Sequence, residues 1–195
     1  METGTARNGV AADERERPTG PGGRRKPKKL DDAGLRDYAL KLLAGRALST
    51  SELRRRLAAR AESAAAVDAV IARLQEYGAL DDRRLAEDFA AARLENQGLG
   101  KARVLRDLRR KRIAPALAEK TVERVFRGTN ETELVEQYLG RKYKNVRLEE
   151  FLAVPKNLAA AYRRLRYAGF SGATSIQVLR RYAQQADELG GQEAD

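Results

Sequence analysis

From Leu30 onward, Leu, Val, Ile and aromatic residues recur at spacings of three and four, with Arg, Glu, Lys, Gln and Asp between them. That period is the stripe of an amphipathic helix, and it predicts nine or ten helices. Start signals fall where the stripes begin. Ser49 followed by Glu52 has the spacing of a capping box, in which the hydroxyl takes the third amide and the carboxylate reaches back. Asn130 and Glu133 have related spacing, and Asp81 and Asp82 precede another stripe, where carboxylates suit free amides and the helix dipole. Pro115 fits a first turn, where its missing amide costs nothing. Ser63 and Ser171 are further caps. Alternating Val, Ile and Thr runs are missing, so strands have little support.

The stripes repeat. Six apolar pairs stand 51 residues apart: Tyr38 and Phe89, Leu43 and Leu94, Leu53 and Val104, Leu57 and Leu108, Ile71 and Val122, Leu74 and Val125. A third copy follows at 57, pairing Leu108 with Leu165, Ile113 with Phe170, Val122 with Leu179 and Val125 with Tyr182. A spacing shared over three successive helices marks one structural unit used again. The longer spacing places an insertion between the first and second helices of the third unit, near Lys144 to Lys156. Each unit of about 50 residues has a small core and is marginal alone, whereas tandem units gain from their neighbours. The expected fold is all-α: three tandem three-helix repeats in an elongated array, over 31–80, 81–128 and 129–186.

The ends read differently. Residues 1–30 carry Pro18, Gly20, Pro21, Gly22, Gly23 and Pro27, which break any periodicity, and close on Arg24, Arg25, Lys26, Lys28 and Lys29. This predicts a disordered basic tail, solvated or lending an auxiliary nucleic-acid contact. A second disordered tail is expected over 187–195.

Composition narrows the chemistry. The 195 residues carry a formal charge of +11 and contain no Cys and no His. Thiol nucleophiles, thiolate metal sites and the commonest general base are thereby excluded. Gly98-Leu99-Gly100-Lys101 has the look of a phosphate loop, but Glu95 stands where the first glycine belongs and Ala102 where Ser or Thr would bind magnesium. Asp31-Asp32, Asp81-Asp82 and Glu149-Glu150 sit at expected helix starts, where capping explains them. The reading is of a protein without enzymatic activity, metal or cofactor. No stretch reaches the roughly 20 apolar residues of a membrane span, and no signal-peptide core is apparent, so a cytoplasmic protein is expected.

The positive charge is concentrated. Lys101, Arg103, Arg106, Arg109, Arg110, Lys111 and Arg112 fall within twelve residues, opposed only by Asp107. On a helical wheel Val104, Leu105 and Leu108 share one face, and Arg103, Arg106 and Arg110 fall opposite. This predicts a guanidinium stripe turned to solvent, suited to carboxylate or phosphate. The first unit echoes it with Arg54, Arg55, Arg56 and Arg60. The third has Arg163, Arg164 and Arg166 beside Tyr162 and Tyr167. Tyr162 belongs with Leu158 and Leu165 in the core, while Tyr167 stays open as a stacking platform for a single strand.

The run from Arg73 to Ala86, Arg-Leu-Gln-Glu-Tyr-Gly-Ala-Leu-Asp-Asp-Arg-Arg-Leu-Ala, resembles the signature joining the first and second units of the RecX family. There the pattern is a leucine, a glycine, Leu-Asp-Asp and then Arg-Phe-Ala. Phe89, Arg93, Gly98, Gly100, Arg103, Val104, Leu108 and Ile113 also sit where that family places them. Ala39 to Leu43 and Ser49 to Leu57 resemble its first unit, and Gly169-Phe170-Ser171 its third. The resemblance spans residues 35 to 183. Leu85 departs from the usual phenylalanine and Arg112 from the glycine before Ile113, and the insertion in the third unit is larger than expected.

The resemblance implies three tandem three-helix modules in a curved molecule that binds RecA. It would lodge in the groove of the RecA filament on single-stranded DNA and inhibit ATP hydrolysis and strand exchange, a role in recombinational repair and the SOS response. The expected contacts are Arg93, Lys101, Arg103, Arg106, Arg109, Arg110, Lys111, Arg163, Arg164 and Arg166, with single-stranded DNA a second candidate partner through the basic face. No membrane partner is expected, and the protein is read as a monomer. Two rivals stand beside this reading: a helical nucleic-acid-binding protein with no need of RecA, and an adaptor using its helices for salt-insensitive protein contacts.

Overall fold

The computed structural model describes residues 29–183. These hold ten helices: α1 (Asp32–Gly45), α2 (Thr50–Ala58), α3 (Ala64–Glu76), α4 (Asp82–Glu95), α5 (Lys101–Arg110), α6 (Pro115–Val125), α7 (Glu131–Lys142), α8 (Leu148–Leu152), α9 (Pro155–Ala168) and α10 (Gly172–Leu179). The only strand-like pairing among them is an isolated bridge between Leu30 and Ala61. The tail expected over 187–195 lies outside the described residues, as does that over 1–30 up to residue 28. Lys29 and Leu30 are tied to the α2–α3 turn: the Lys29 ammonium donates to the Ala61 carbonyl at 2.8 Å, and the Leu30 amide to the Arg60 carbonyl at 2.8 Å.

The local signals explain where helices start. Ser49 and Glu52 form the full capping box of α2. Ser63 caps α3, Asp81 caps α4, Asn130 caps α7 and Ser171 caps α10, each side-chain oxygen accepting one or two first-turn amides. Pro115 opens α6.

Three apolar clusters follow the spacing read from the sequence. The first is built from α1, α2 and α3, with Leu35, Leu53, Leu57 and Ile71 buried. The second joins α4, α5 and α6 through Ala86, Ala90, Val104, Leu108 and Val122. The third joins α7, α9 and α10 through Val135, Leu139, Leu165 and Leu179. The equivalent leucines Leu57, Leu108 and Leu165 are all fully buried, each removed from water at a gain of about 1.5–3 kcal/mol. The chain is a helical repeat array. The additional residues between α7 and α9 form α8, whose Leu152 plugs into the third cluster, while Phe151 packs on Tyr143 with ring centroids 5.2 Å apart.

Polar bonds join successive units. Buried Ser49 not only caps α2 but donates its hydroxyl proton to the Lys111 carbonyl at 2.6 Å, just past the end of α5. Next to it the Thr50 amide donates to Asp82 Oδ1 at 2.7 Å. Between the second and third units the start of α5 meets the end of α9. The Gly100 amide donates to the Ala168 carbonyl at 2.9 Å, and the Ala102 amide to the Gly169 carbonyl at 3.2 Å. Amides that α5 leaves unpaired thus meet carbonyls that α9 leaves unpaired, the positive end of one helix dipole against the negative end of the other. A Cβ on Gly100 would stand 2.3 Å from the Gly169 carbonyl oxygen, and one on Gly169 2.2 Å from the Arg103 amide nitrogen. The glycine that gave residues 98–101 the look of a phosphate loop is there so that two backbones can touch.

Candidate functional site

Helix α5 carries the basic run, and its two ends are set by the junctions just described. Its C-terminus closes in a Schellman motif. The Ile113 amide donates to the Leu108 carbonyl at 3.2 Å and the Arg112 amide to the Arg109 carbonyl at 2.9 Å, with Ile113 and Leu108 buried together. The turn requires a left-handed residue, and Arg112 takes it with φ of 59°. This is the position where the RecX pattern has glycine, the residue that adopts this backbone without strain.

The orientation of α5 differs from the expected one. Its buried positions are Val104, Asp107 and Leu108, with Leu105 only half-buried. Asp107 is 2% exposed and gathers three arginines. Arg103 Nε lies 3.3 Å from each carboxylate oxygen, Arg110 Nη2 donates to Oδ1 at 3.0 Å, and Arg93 Nε reaches across from α4 to within 3.7 Å of Oδ2. Arg103 is therefore not on the solvent face: its side chain is 19% exposed and Arg93's 26%, against 73% for Arg110. The helical wheel misplaced Arg103 because it sorts faces by apolar residues alone and left the one acid of the run without a face. Once that carboxylate is buried, neighbouring guanidiniums must turn in to neutralise it. Burial works against the Arg103 charge, but Asp107 and the contact with Tyr167 outweigh it, and Arg103 holds its proton more tightly than an ordinary arginine.

Tyr167, near the end of α9, is 69% exposed and framed by α5. Arg103 Cζ stands 4.5 Å and Arg106 Cζ 5.9 Å from its ring centroid. The same two guanidiniums donate to the Tyr167 carbonyl, at 3.4 and 3.1 Å. Phe89 is held in a similar way, with Arg93 at 4.7 Å and Lys111 Nζ at 5.1 Å from its ring. Tyr162 is buried with Leu158 and Leu165, as its spacing predicted.

The remaining basic residues divide. Lys101, Arg106, Arg109 and Arg110 are exposed along α5, and Arg109 donates to Glu119 at 2.9 Å. Arg163 is exposed on α9 one turn before Tyr167. Arg164 turns away to Tyr143, 5.6 Å from its ring, and Arg166 donates to the Phe170 carbonyl at 2.7 Å. The structure thus collects Arg93, Arg103, Arg106, Arg110, Lys111 and Tyr167 around α5 and leaves Arg164 and Arg166 outside that group. Glu131 braces the junction below it, accepting from the Ser171 amide and hydroxyl at 2.9 and 2.8 Å and from the Thr174 hydroxyl at 2.7 Å. Burial raises its pKa, but these bonds and the Lys101 charge prevail and hold it below the usual glutamate value.

Sequence reasoning missed Asp107 as an organiser; an acid alone among seven bases was the available signal. Among the described residues there is no cluster of three metal-ligating side chains, and no helix is long and apolar enough to cross a membrane.

Residues 36–74 match the family description "RecX, first three-helix domain" and residues 81–122 match "RecX, second three-helix domain". A regulatory protein RecX from Trichlorobacter lovleyi is 30% identical over 105 residues, 54% of this chain and 68% of that protein. One from Halorhodospira halophila is 37% identical over 89 residues, 46% of this chain and 55% of that protein. The chain spans about half the length of most such curated relatives. The crystal structure of RecX from Lactobacillus salivarius superposes with a TM-score of 0.59 at 15% identity, covering 77% of this chain and 96% of that one, and has the same fold.

Proposed function

The chain belongs to the RecX family, and from that premise we propose that it regulates the RecA recombinase without being an enzyme itself. In this reading it acts in the cytoplasm as a monomer whose three-helix units occupy 31–80, 81–128 and 129–186. It docks in the groove of the RecA filament on single-stranded DNA and slows ATP hydrolysis and strand exchange by bridging neighbouring protomers. The observation that carries the reading is the ordered basic surface of α5: Arg103 fixed by Asp107, with Arg106 and Arg110 exposed beside it. Side chains held before contact lose less entropy on docking, and guanidiniums suit both acidic protein surface and phosphate.

The test replaces the exposed members and spares Arg103: Arg106→Glu, Arg109→Glu and Arg110→Glu together. Inhibition of RecA ATPase is expected to fall at least tenfold in potency, with a weaker salt dependence. Unchanged inhibition by the folded variant rejects this face as the contact.

Exposed Tyr167 between two arginines favours a second reading, in which the same face binds single-stranded DNA without RecA by stacking and charge. Tight binding to naked single strands, lost in Tyr167→Leu, would support it. Binding seen only in the presence of RecA would reject it.

A further inference from the structure

The three units differ in how they close the groove between their first and third helices. In the second unit Glu87 of α4 forms an ion pair across it with Arg124 of α6. In the third, Glu136 of α7 does the same with Arg181, just past α10. These are equivalent positions: 124 and 181 stand 57 apart, and 87 and 136 share the 49-residue offset of the helix caps Asp81 and Asn130. Carried back by 51 residues to the first unit, the pair becomes Arg36 and Arg73. Both line one groove between α1 and α3, so two cations face a place where the other units hold a cation and an acid.

That groove is also more apolar than its counterparts. Leu40 is 48% exposed and Tyr77 70% exposed, where the equivalents are Ala91 and Gly140 for Leu40 and Gly128 for Tyr77. Val70 and Leu74 form the floor of a cavity of about 320 Å³, and Arg73 Cζ stands 6.0 Å from the Tyr77 ring centroid. Asp32, one turn before Arg36, lines one end. An apolar floor bounded by a carboxylate disfavours a run of phosphates. Two guanidiniums over leucine and tyrosine suit an acid set beside apolar side chains.

We infer that the α1–α3 groove docks an acidic amphipathic helix of a partner protein, whose carboxylate bridges Arg36 and Arg73 as an intramolecular glutamate pairs with the matching arginine in the other two units. This surface is separate from the α5 face and does not depend on its role.

The test is a display selection on the full chain with 16-residue helical peptides. Apolar residues are randomised along one stripe, and the flanking positions carry Glu, Gln or Lys in equal supply. Glu is expected to be enriched over Lys at the flanks at least tenfold. An enriched peptide, labelled with fluorescein and followed by anisotropy, should bind at least tenfold more weakly to Arg36→Glu, which recreates the pair of the other units and closes the groove. Arg36→Gln serves as the milder variant should Arg36→Glu fail to fold by circular dichroism. The Arg36→Glu, Arg73→Glu double variant should recover binding to the same peptide with its flanking Glu replaced by Lys. Enrichment indifferent to charge, no enrichment at all, or equal binding to the wild type and both Arg36 variants would overturn the proposal. So would self-association in sedimentation that Arg36→Glu abolishes, since that would give the groove to a second copy of the chain.

Discussion

Replacing Asp107 with Asn keeps the shape of the side chain and removes the charge on which three guanidiniums converge. Breaking one partner of a fully buried pair costs about 3–5 kcal/mol. Here water reaches part of each guanidinium, least for Arg103 and most for Arg110, and the Asn oxygen still accepts one bond. We therefore expect a loss of about 2–3 kcal/mol, below the fully buried range. With an m-value of about 2 kcal/mol per molar urea, the midpoint falls by about 1–1.5 M. A double-mutant cycle with Arg103→Met, which keeps the apolar stem, separates pairing from packing and should give a coupling of about 1–2 kcal/mol. A loss under about 0.5 kcal/mol, within the range of ordinary surface substitutions, or a coupling of zero, would show that the carboxylate does not organise this face.

Three further outcomes follow from the geometry. Arg112→Gly should stabilise the chain by about 0.5–1 kcal/mol in urea unfolding, since relief of left-handed strain exceeds the added entropy of glycine; no gain would mean the strain is absorbed elsewhere. Gly100→Ala should cost about 1–3 kcal/mol by overpacking against Gly169 and should strip amide-exchange protection from residues 100 and 102. Glu131→Gln should lower Tm at pH 7, and its deficit should shrink with acid. The pKa of Glu131 is depressed, so the stability it contributes is complete above the ordinary glutamate value of about 4.3 and is lost as pH falls through its own lower one. A deficit constant with pH would refute that account.

What could be read from the sequence was what is local or repeated. Ser49 with Glu52, Asp81, Pro115 and Ser171 act within one helical turn, and each is found at a helix start. Leu57, Leu108 and Leu165 are equivalent because the unit recurs, and all three are buried. Arg103 was placed on solvent because a helical wheel ranks faces by apolar residues and does not foresee the burial of Asp107, which draws in Arg103 from one turn away and Arg93 from another helix. Arg112 shows the opposite case, a departure from the family's glycine that was visible in the sequence and whose backbone cost needed coordinates. The contact of Gly100 with Gly169 was hidden because neither the phosphate-loop reading nor the family resemblance says which backbone a glycine meets, and two backbones meeting 69 residues apart leave no periodic trace.

One hydroxyl serves two masters at Ser49, starting α2 and holding the end of α5. Tension that draws the first bundle away from the second breaks the bond to Lys111 and strands a buried hydroxyl proton, while the cap, made by the oxygen lone pair inside the first bundle, stays intact. The seam resists parting because that stranded proton and the freed Thr50 amide both lose their acceptors at once, yet each bundle can come away whole.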